Sequence, residues 1–327
     1  MNTLTIRSSA SRIPLPFLVT AFCLLWSSAF AVAKLAIADC PPLILLSTRF
    51  LAAGVLMLAA AAVLRTPFSL DRRDLLLFAT LGIANQAAYL GLGYISMQSV
   101  SAGLSALIIS ANPVLTALLA ATFLGEQMSW RKASGLLLGV GGVAFVVDSR
   151  LAGGVEHVVG IAWTLAALVS LVAGTILFKR FTPKGGLWIG NGVQSLSAGL
   201  ALLPFALTTE SVSDVVPTWQ LLAAFVYLVV LVSVFVFLLW FHLLRVMGAT
   251  AASSYHFLMP PLGMVFGWLL LGEHVAASDL IGIVPVAVGI YLVTRPAAVH
   301  RRPSRGSKAL PISTAQQSAS CPTRSSR

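Results

Sequence analysis

The sequence predicts an all-α membrane protein in which ten transmembrane helices form two inverted repeats of five helices each. Three observations lead to this fold class: an apolar composition, an internal duplication and an alternating distribution of basic residues. Of the 327 residues, 58% are apolar and 9% are charged, and the mean hydropathy is +0.93. A soluble domain of this size cannot hide so much apolar surface, so we expect the chain to lie in a lipid bilayer.

The duplication is clearest between the segment 102–147 and a second copy that begins at residue 249. Adding 147 to a residue number carries Pro113 onto Pro260 and Glu126 onto Glu273. Further upstream an offset of 145 applies instead, so a two-residue insertion separates the two parts of the repeat. The chain is therefore predicted to contain a duplicated unit of about 140 residues.

Ten apolar stretches are long enough, or nearly long enough, to cross about 30 Å of hydrocarbon as helices. The first five lie roughly at residues 14–35, 42–64, 75–95, 101–123 and 132–147. The second five lie roughly at residues 158–178, 186–207, 219–241, 249–271 and 279–294. Because five is an odd number, the second unit enters the membrane from the opposite side, and the repeats are inverted.

The basic residues orient this arrangement, because positive residues stay on the cytoplasmic side of membrane helices. With the N-terminus inside, eighteen of the 21 Lys and Arg residues are cytoplasmic, two (Lys34 and Arg150) are outside, and Arg49 lies within a span. We therefore expect a multi-pass protein of the inner (cytoplasmic) membrane with both termini in the cytoplasm. The net charge of +11 comes from loops and tails, which argues against nucleic acid as a partner.

The predicted organisation has four parts: a cytoplasmic tail at 1–13, a first five-helix repeat at 14–147, a second at 158–294, and a basic cytoplasmic tail at 295–327. The last segment is rich in Ser, Arg, Pro and Gln, a composition typical of disorder. The three cysteines lie in the first span, outside and in the tail, so neither a disulfide nor a thiol metal site is expected.

Several of these residues resemble a known family. The run Trp26-Ser27-Ser28-Ala29-Phe30 ending in Lys34, Pro42 with Arg49, and the Pro113 block ending in Leu124-Gly125-Glu126 are similar to those of EamA-type drug/metabolite transporters. The resemblance covers residues 15 to 294 and includes the ten-span inverted duplication. It implies export of small metabolites or drugs without naming one.

Four residues from three different spans fall near the predicted midplane: Trp26, Asn85, Gln86 and Asn112. Polar groups at this depth require partners, so they either line a solvated pocket and bind a substrate or form hydrogen bonds between helices. Three prolines, Pro113, Pro260 and Pro261, interrupt the fourth and ninth spans. They are candidate hinges, with plain packing geometry as the alternative.

Three further residues are candidates for the substrate site. Arg49 lies in the outer third of its span, where it either snorkels to the outer headgroups or binds a substrate carboxylate. Its counterpart in the second repeat is Gln194, so this charge is not duplicated. Tyr255 and His256 lie in the inner third of the ninth span, where a titratable ring can follow a proton.

Glycines spaced seven apart at 135 and 142, and again at 282 and 289, form small helix faces. We expect these faces to pack within the chain, and a homodimer through them stays open. Lys34 and Lys179, at span ends, are expected to act as snorkelling anchors.

Inverted repeats are the usual architecture of secondary transporters, so export of a small amino-acid-like neutral or zwitterionic solute, or of a drug, by alternating access is the first hypothesis. An intramembrane enzyme is the alternative, because Gly103-Leu104-Ser105-Ala106 resembles the serine turn of rhomboid-type proteases and His256 could serve as its base. The two predicted depths differ by roughly 14 Å, which argues against the enzyme. No nucleotide or metal-helix motif is present, so no cofactor is expected.

Overall fold

The computed structural model describes residues 14–67, 70–125, 129–152, 154, 156–184, 186–247, 252, 255–275 and 277–294. Within these ranges every regular element is a helix. The predicted tails at 1–13 and 295–327 and the residue Glu126 lie outside the described residues.

The first half of the chain forms α1 (Leu15–Asp39), α2 (Pro42–Val63), α3 (Arg72–Leu81), α4 (Tyr89–Ser96), α5 (Ala102–Ile109), α6 (Asn112–Leu124) and α7 (Trp130–Ala152). A π-helical segment, Gly82–Ala88, joins α3 to α4 as one continuous helix. The elements α5 and α6 are separated by a two-residue turn at Ser110 and Ala111.

The second half forms α8 (Val158–Phe181), α9 (Leu187–Thr209), α10 (Trp219–Tyr227), α11 (Phe237–Met247), α12 (Met259–Leu271) and α13 (Ala277–Thr294). Three short elements connect them: 3-10 turns at Val212–Asp214 and Tyr255–Leu258, and a π-helical segment, Leu228–Val236, between α10 and α11. The helix α9 packs along α2, α13 packs along α7, and α12 contacts α1.

Eight helices of the described chain are long and apolar enough to cross a membrane, and two further apolar helices, Met259–Leu271 and Asp279–Gly289, are shorter. The prediction of an all-helical membrane protein is confirmed. The exact count of ten spans stays a prediction, partly because residues 249–251, 253 and 254 of the predicted ninth span lie outside the described residues.

Two glutamates cap the first turns of helices. Glu210 accepts hydrogen bonds from the backbone N–H groups of Leu43 (3.0 Å) and Ile44 (2.8 Å) in the first turn of α2. Glu273 does the same for Ala102 (2.8 Å) and Gly103 (3.2 Å) in the first turn of α5. The first N–H groups of a helix have no partner within it, and a negative charge suits that end of its dipole.

Lys34 differs from the snorkelling anchor expected of it. Its Nζ donates to the Val100 carbonyl oxygen at 2.8 Å and lies 3.3 Å from Glu273 Oε1. The ammonium therefore ties α1 to the start of α5 and to the loop after α12, instead of reaching for lipid headgroups.

Local backbone features recur at the offset of 147 residues. Pro113 and Pro260 each lie in the first turn of a helix, at the starts of α6 and α12. Each of these helices ends at a glycine in the left-handed conformation, Gly125 with φ 68° and Gly272 with φ 66°. The two π-helical segments also correspond to each other at this offset.

The glycine faces of α7 and α13 pack against each other within the chain. A methyl group added at Gly142 would lie 2.8 Å from Val286 Cγ2 and 2.9 Å from the Gly282 carbonyl oxygen. A methyl group added at Gly289 would lie 2.4 Å from the Gly135 carbonyl oxygen. These glycines therefore allow the two helix backbones to approach closely, as small residues do in membranes.

We expect Gly142→Ala to destabilise the protein by about 1 to 3 kcal/mol, because the methyl group must displace backbone atoms of α13. Gly141→Ala is the matched control, since a methyl group there meets nothing within 4 Å. It should leave stability unchanged or raise it by up to about 1 kcal/mol through helix propensity. Thermal unfolding of both variants in detergent measures the difference, and equal melting temperatures would contradict the packing.

Candidate functional site

A small cavity of about 30 Å³ lies between α1, α2, the Arg72–Ser96 helix and the Trp219–Met247 helix. Its walls include Trp26 and Phe30 of α1, Arg49 of α2, Tyr89 and Tyr94 of α4, and Phe237 of α11. Most of the lining is aromatic or aliphatic, and the guanidinium of Arg49 supplies the charge. A largely apolar cleft with a few polar groups is typical of small-molecule sites.

Arg49 is directed into the protein and is only 1% exposed. Its Nε donates to Ser233 Oγ at 2.9 Å, and its Nη1 donates to Tyr94 Oη at 2.6 Å. Its Nη2 is buried and has no hydrogen-bond partner among the described residues. Of the two alternatives for Arg49, snorkelling to the outer headgroups does not occur in this structure.

Every hydrogen-bond partner of Arg49 in the described part of the chain is neutral. A buried cation normally pairs with an anion, because removal from water without a counter-charge is costly. Arg49 is therefore a charged donor with an unfilled hydrogen-bonding position at the wall of a cavity.

Ser233, in the π-helical segment Leu228–Val236, connects Arg49 to α9. Ser233 uses two atoms in this contact region: its Oγ accepts from Arg49, and its carbonyl oxygen accepts from Asn191 Nδ2 at 2.9 Å. Asn191 Oδ1 in turn accepts from Gln86 Nε2 at 3.3 Å. The π geometry frees backbone groups for such bonds and is frequent at functional sites. A hydrogen-bonded chain thus links the cavity to α9 and to Gln86.

Trp26 and His256 lie together in an aromatic cluster beside the cavity. The ring centroid of His256 lies 4.8 Å from that of Trp240 and 5.4 Å from that of Trp26, and both contacts are edge-to-face. Phe22 stacks on Trp240 at 5.7 Å. Tyr255 is half-buried, and its carbonyl oxygen accepts a hydrogen bond from Cys23 Sγ.

The three predicted amide residues lie away from the walls of this cavity. Asn85 packs against Gly174 of α8, Gln86 donates to Asn191, and Asn112 accepts from Thr116 Oγ1 at 2.8 Å. All three are buried. The structure therefore brings Trp26, Arg49 and His256 close to one cavity and leaves the amides in helix contacts, where a role in binding stays a prediction.

Tyr89, Tyr94 and Ser233 belong to the site but were not predicted. A signal for them exists in the sequence, because a phenol or an arginine inside an apolar span requires a polar partner. Gln194, the counterpart of Arg49 in the second repeat, is also buried, and its amide atoms form no hydrogen bond with the described residues.

We expect Tyr94→Phe to lower stability by about 1.5 to 3 kcal/mol, because it removes an acceptor from a buried charged group. Tyr227→Phe is the matched control, since it removes a phenol that bonds the neutral Ser28 hydroxyl at 2.6 Å. That loss should cost about 0.5 to 1.5 kcal/mol. Thermal unfolding in detergent compares the two, and a smaller effect at Tyr94 would contradict the buried charge.

Several known transporters are similar to this chain over most of its length. The uncharacterized transporter YvbV of Bacillus subtilis is 28% identical, covering 86% of this chain and 92% of the relative. The probable terminal-alkyne amino-acid exporter of Streptantibioticus cattleyicolor is 29% identical, covering 85% and 92%. The S-adenosylmethionine/S-adenosylhomocysteine transporter of Chlamydia muridarum is 28% identical, covering 85% and 90%.

A solved crystal structure shares the fold, with a TM-score of 0.64 at 17% sequence identity, covering 85% of this chain and 96% of that chain. The EamA-like transporter family matches this chain twice, at residues 15–148 and 158–295. These two matches leave out only the tails and a short connection, and the helices, the cavity and the relatives agree with them. The chain therefore belongs to the EamA-like transporter family.

Proposed function

We propose that this protein is a secondary transporter that exports an amino acid or a related small neutral or zwitterionic solute across the cytoplasmic membrane by alternating access. One observation carries the proposal: the buried guanidinium of Arg49 faces a small cavity of about 30 Å³ with neutral partners and an unfilled donor. A solute carboxylate supplies the missing partner, and charge-assisted bonds of this kind are strong and directional.

The remaining walls of the cavity suit the apolar part of such a solute. Trp26, Phe30 and Phe237 offer flat apolar faces, and burial against them holds the ligand while Arg49 orients it. Two similar transporters carry names that describe solutes with an amino-acid group. Those names support the proposed class of solute but do not identify the particular solute.

The duplicated architecture supports alternating access. We propose ten spans in two inverted five-helix repeats, 14–147 and 158–294, with Pro113, Pro260 and Pro261 as hinges. The recurrence of prolines, left-handed glycines and π-helical segments at one offset favours two halves that bend in corresponding places. Rocking of one repeat against the other around a central site is the usual cycle of such folds.

The buried amides belong to the same proposal. Four of their side-chain atoms have no hydrogen-bond partner among the described residues: Asn85 Nδ2, Asn85 Oδ1, Gln86 Oε1 and Asn112 Nδ2. We propose that in another step of the cycle these groups, with Tyr255 and His256, bond a solute that moves inward from Arg49. Buried polar atoms of this kind require such an explanation.

The intramembrane enzyme finds little support. Ser105 Oγ is buried and forms no hydrogen bond with any described residue, so it has no base beside it. A serine nucleophile requires a base within about 3 Å. Membership of a transporter family also points away from an enzyme.

We expect cells that overproduce the protein to resist toxic apolar amino-acid analogues and to export them faster, with the rate lost in an Arg49→Gln variant. The test measures efflux of a radiolabelled analogue from preloaded cells, with membrane content checked by immunoblot. Arg180→Gln is the matched control, because it removes a cation that bonds Phe123 on the protein surface. Amino-acid efflux indistinguishable from that of cells without the protein would overturn the proposal.

The proposed orientation requires reporter cysteines other than Cys40. Burial, aided by Glu210, raises the pKa of the Cys40 thiol to about 11, so its thiolate is about 100-fold scarcer at neutral pH and labelling should rise only as pH increases. In a chain without native cysteines, an impermeant maleimide should label Ser213→Cys on intact cells and spare Thr66→Cys until the membrane is opened. Both positions are exposed. The reverse labelling would overturn the orientation.

A further inference from the structure

We propose that the site recognises its solute by the carboxylate alone, so that the ammonium group of an amino acid is dispensable and an apolar monocarboxylate anion binds at least as tightly. This inference rests on the proposed function and concerns the same cavity. It extends the expected substrates to short apolar carboxylic acids.

Arg49 gives the cavity a positive charge. Arg49 is the charged residue of its lining, and the other lining residues of the described chain are aromatic, aliphatic or phenolic. A monocarboxylate brings one negative charge to this one positive charge, so the loaded site is neutral. A zwitterion leaves the loaded site with a net positive charge, which is costly to hold away from water.

The acidic residues of the described chain lie away from the walls of the cavity. Glu210 and Glu273 cap the first turns of α2 and α5, and both oxygens of Glu156 accept from the Ser101 N–H. Asp279 is paired with Arg150. These carboxylates are engaged at helix ends, and none among the described residues forms an ion pair with Arg49 or lines the cavity.

The cavity offers an ammonium group aromatic faces and phenol oxygens but no carboxylate among the described residues. Its aromatic faces supply a cation–π attraction of about 0.5 to 2 kcal/mol, and its phenols supply neutral oxygens. Tyr94 Oη already accepts from Arg49, whose charge repels a second cation nearby. Arg49 Nη2, in contrast, is a charged donor that is buried and has no partner in the described structure. The geometry therefore favours the anionic end of the solute.

Four ligands with one carbon skeleton separate the two charges. They are 4-methylpentanoate (carboxylate only), leucine (both charges), leucinamide (ammonium only) and 4-methylpentanamide (no charge). Binding to the purified full-length protein in detergent is measured by isothermal titration calorimetry at pH 7, with titrations into detergent alone subtracted. The carboxylate and its amide are similar in size, so their comparison isolates the contact with Arg49.

We expect 4-methylpentanoate to bind at least as tightly as leucine, and about 10- to 150-fold more tightly than 4-methylpentanamide. In an Arg49→Gln variant this preference for carboxylate over amide should fall to about threefold or less, whereas Arg180→Gln should retain it. Glutamine stands at the corresponding position of the second repeat, so the substitution suits this helix position. Arg49→Lys, which keeps the charge without the planar fork, should retain part of the preference.

Three results would overturn the inference. Leucine binding tenfold more tightly than 4-methylpentanoate would show that the ammonium is recognised, and amino-acid export would stand. Equal binding of carboxylate and amide by the native protein would show that Arg49 does not bind the carboxylate. Binding of none of the four would also reject it, and the efflux measurement then decides separately whether the protein exports amino acids. Because the native protein alone decides between these results, a variant that fails to fold leaves the test intact.

Discussion

The structure depends on one constraint: within a bilayer, polar and charged groups must find partners inside the protein. The chain has ten acidic residues, and the engaged ones act at helix ends. Glu210 and Glu273 each hold two backbone N–H groups at the start of a helix, and Lys34 joins Glu273 to α1. A small number of charged side chains therefore joins several helices, because each one binds two or more polar groups elsewhere in the chain.

Arg49 departs from this pattern, and this departure identifies the candidate site. A single buried cation held by a phenol and a hydroxyl is a poor device for stability, since an apolar residue of similar volume avoids the cost of desolvation. The structure around it is nevertheless specific: the π-helical segment directs Ser233 toward Nε, and α4 directs Tyr94 toward Nη1. Such positioning of an otherwise costly group supports the proposal that it serves binding.

The sequence was sufficient for the membrane fold, for most span positions and for the corresponding prolines and glycines, because each depends on local composition or on the internal offset. It could not show which way Arg49 points. Each π turn adds a residue and rotates the rest of the helix by about 100°, so the face of Tyr94 cannot be read across Gly82–Ala88 from a period of 3.6. Asn85 and Gln86 lie within this segment and away from the cavity, whereas Tyr89 and Tyr94, which follow it, line the cavity.

The two halves of the chain share local backbone features and differ at Arg49. Prolines, left-handed glycines and π-helical segments recur at one offset, whereas Arg49 corresponds to Gln194. A second arginine at that position would place another buried cation in the same small bundle, and like charges in a medium of low dielectric repel strongly. A solute with one charged end and one apolar end also requires a site with distinct sides. The proposed hinges, being alike in the two halves, therefore suit the proposed symmetric motion, and a single guanidinium suits a solute that is held by one end.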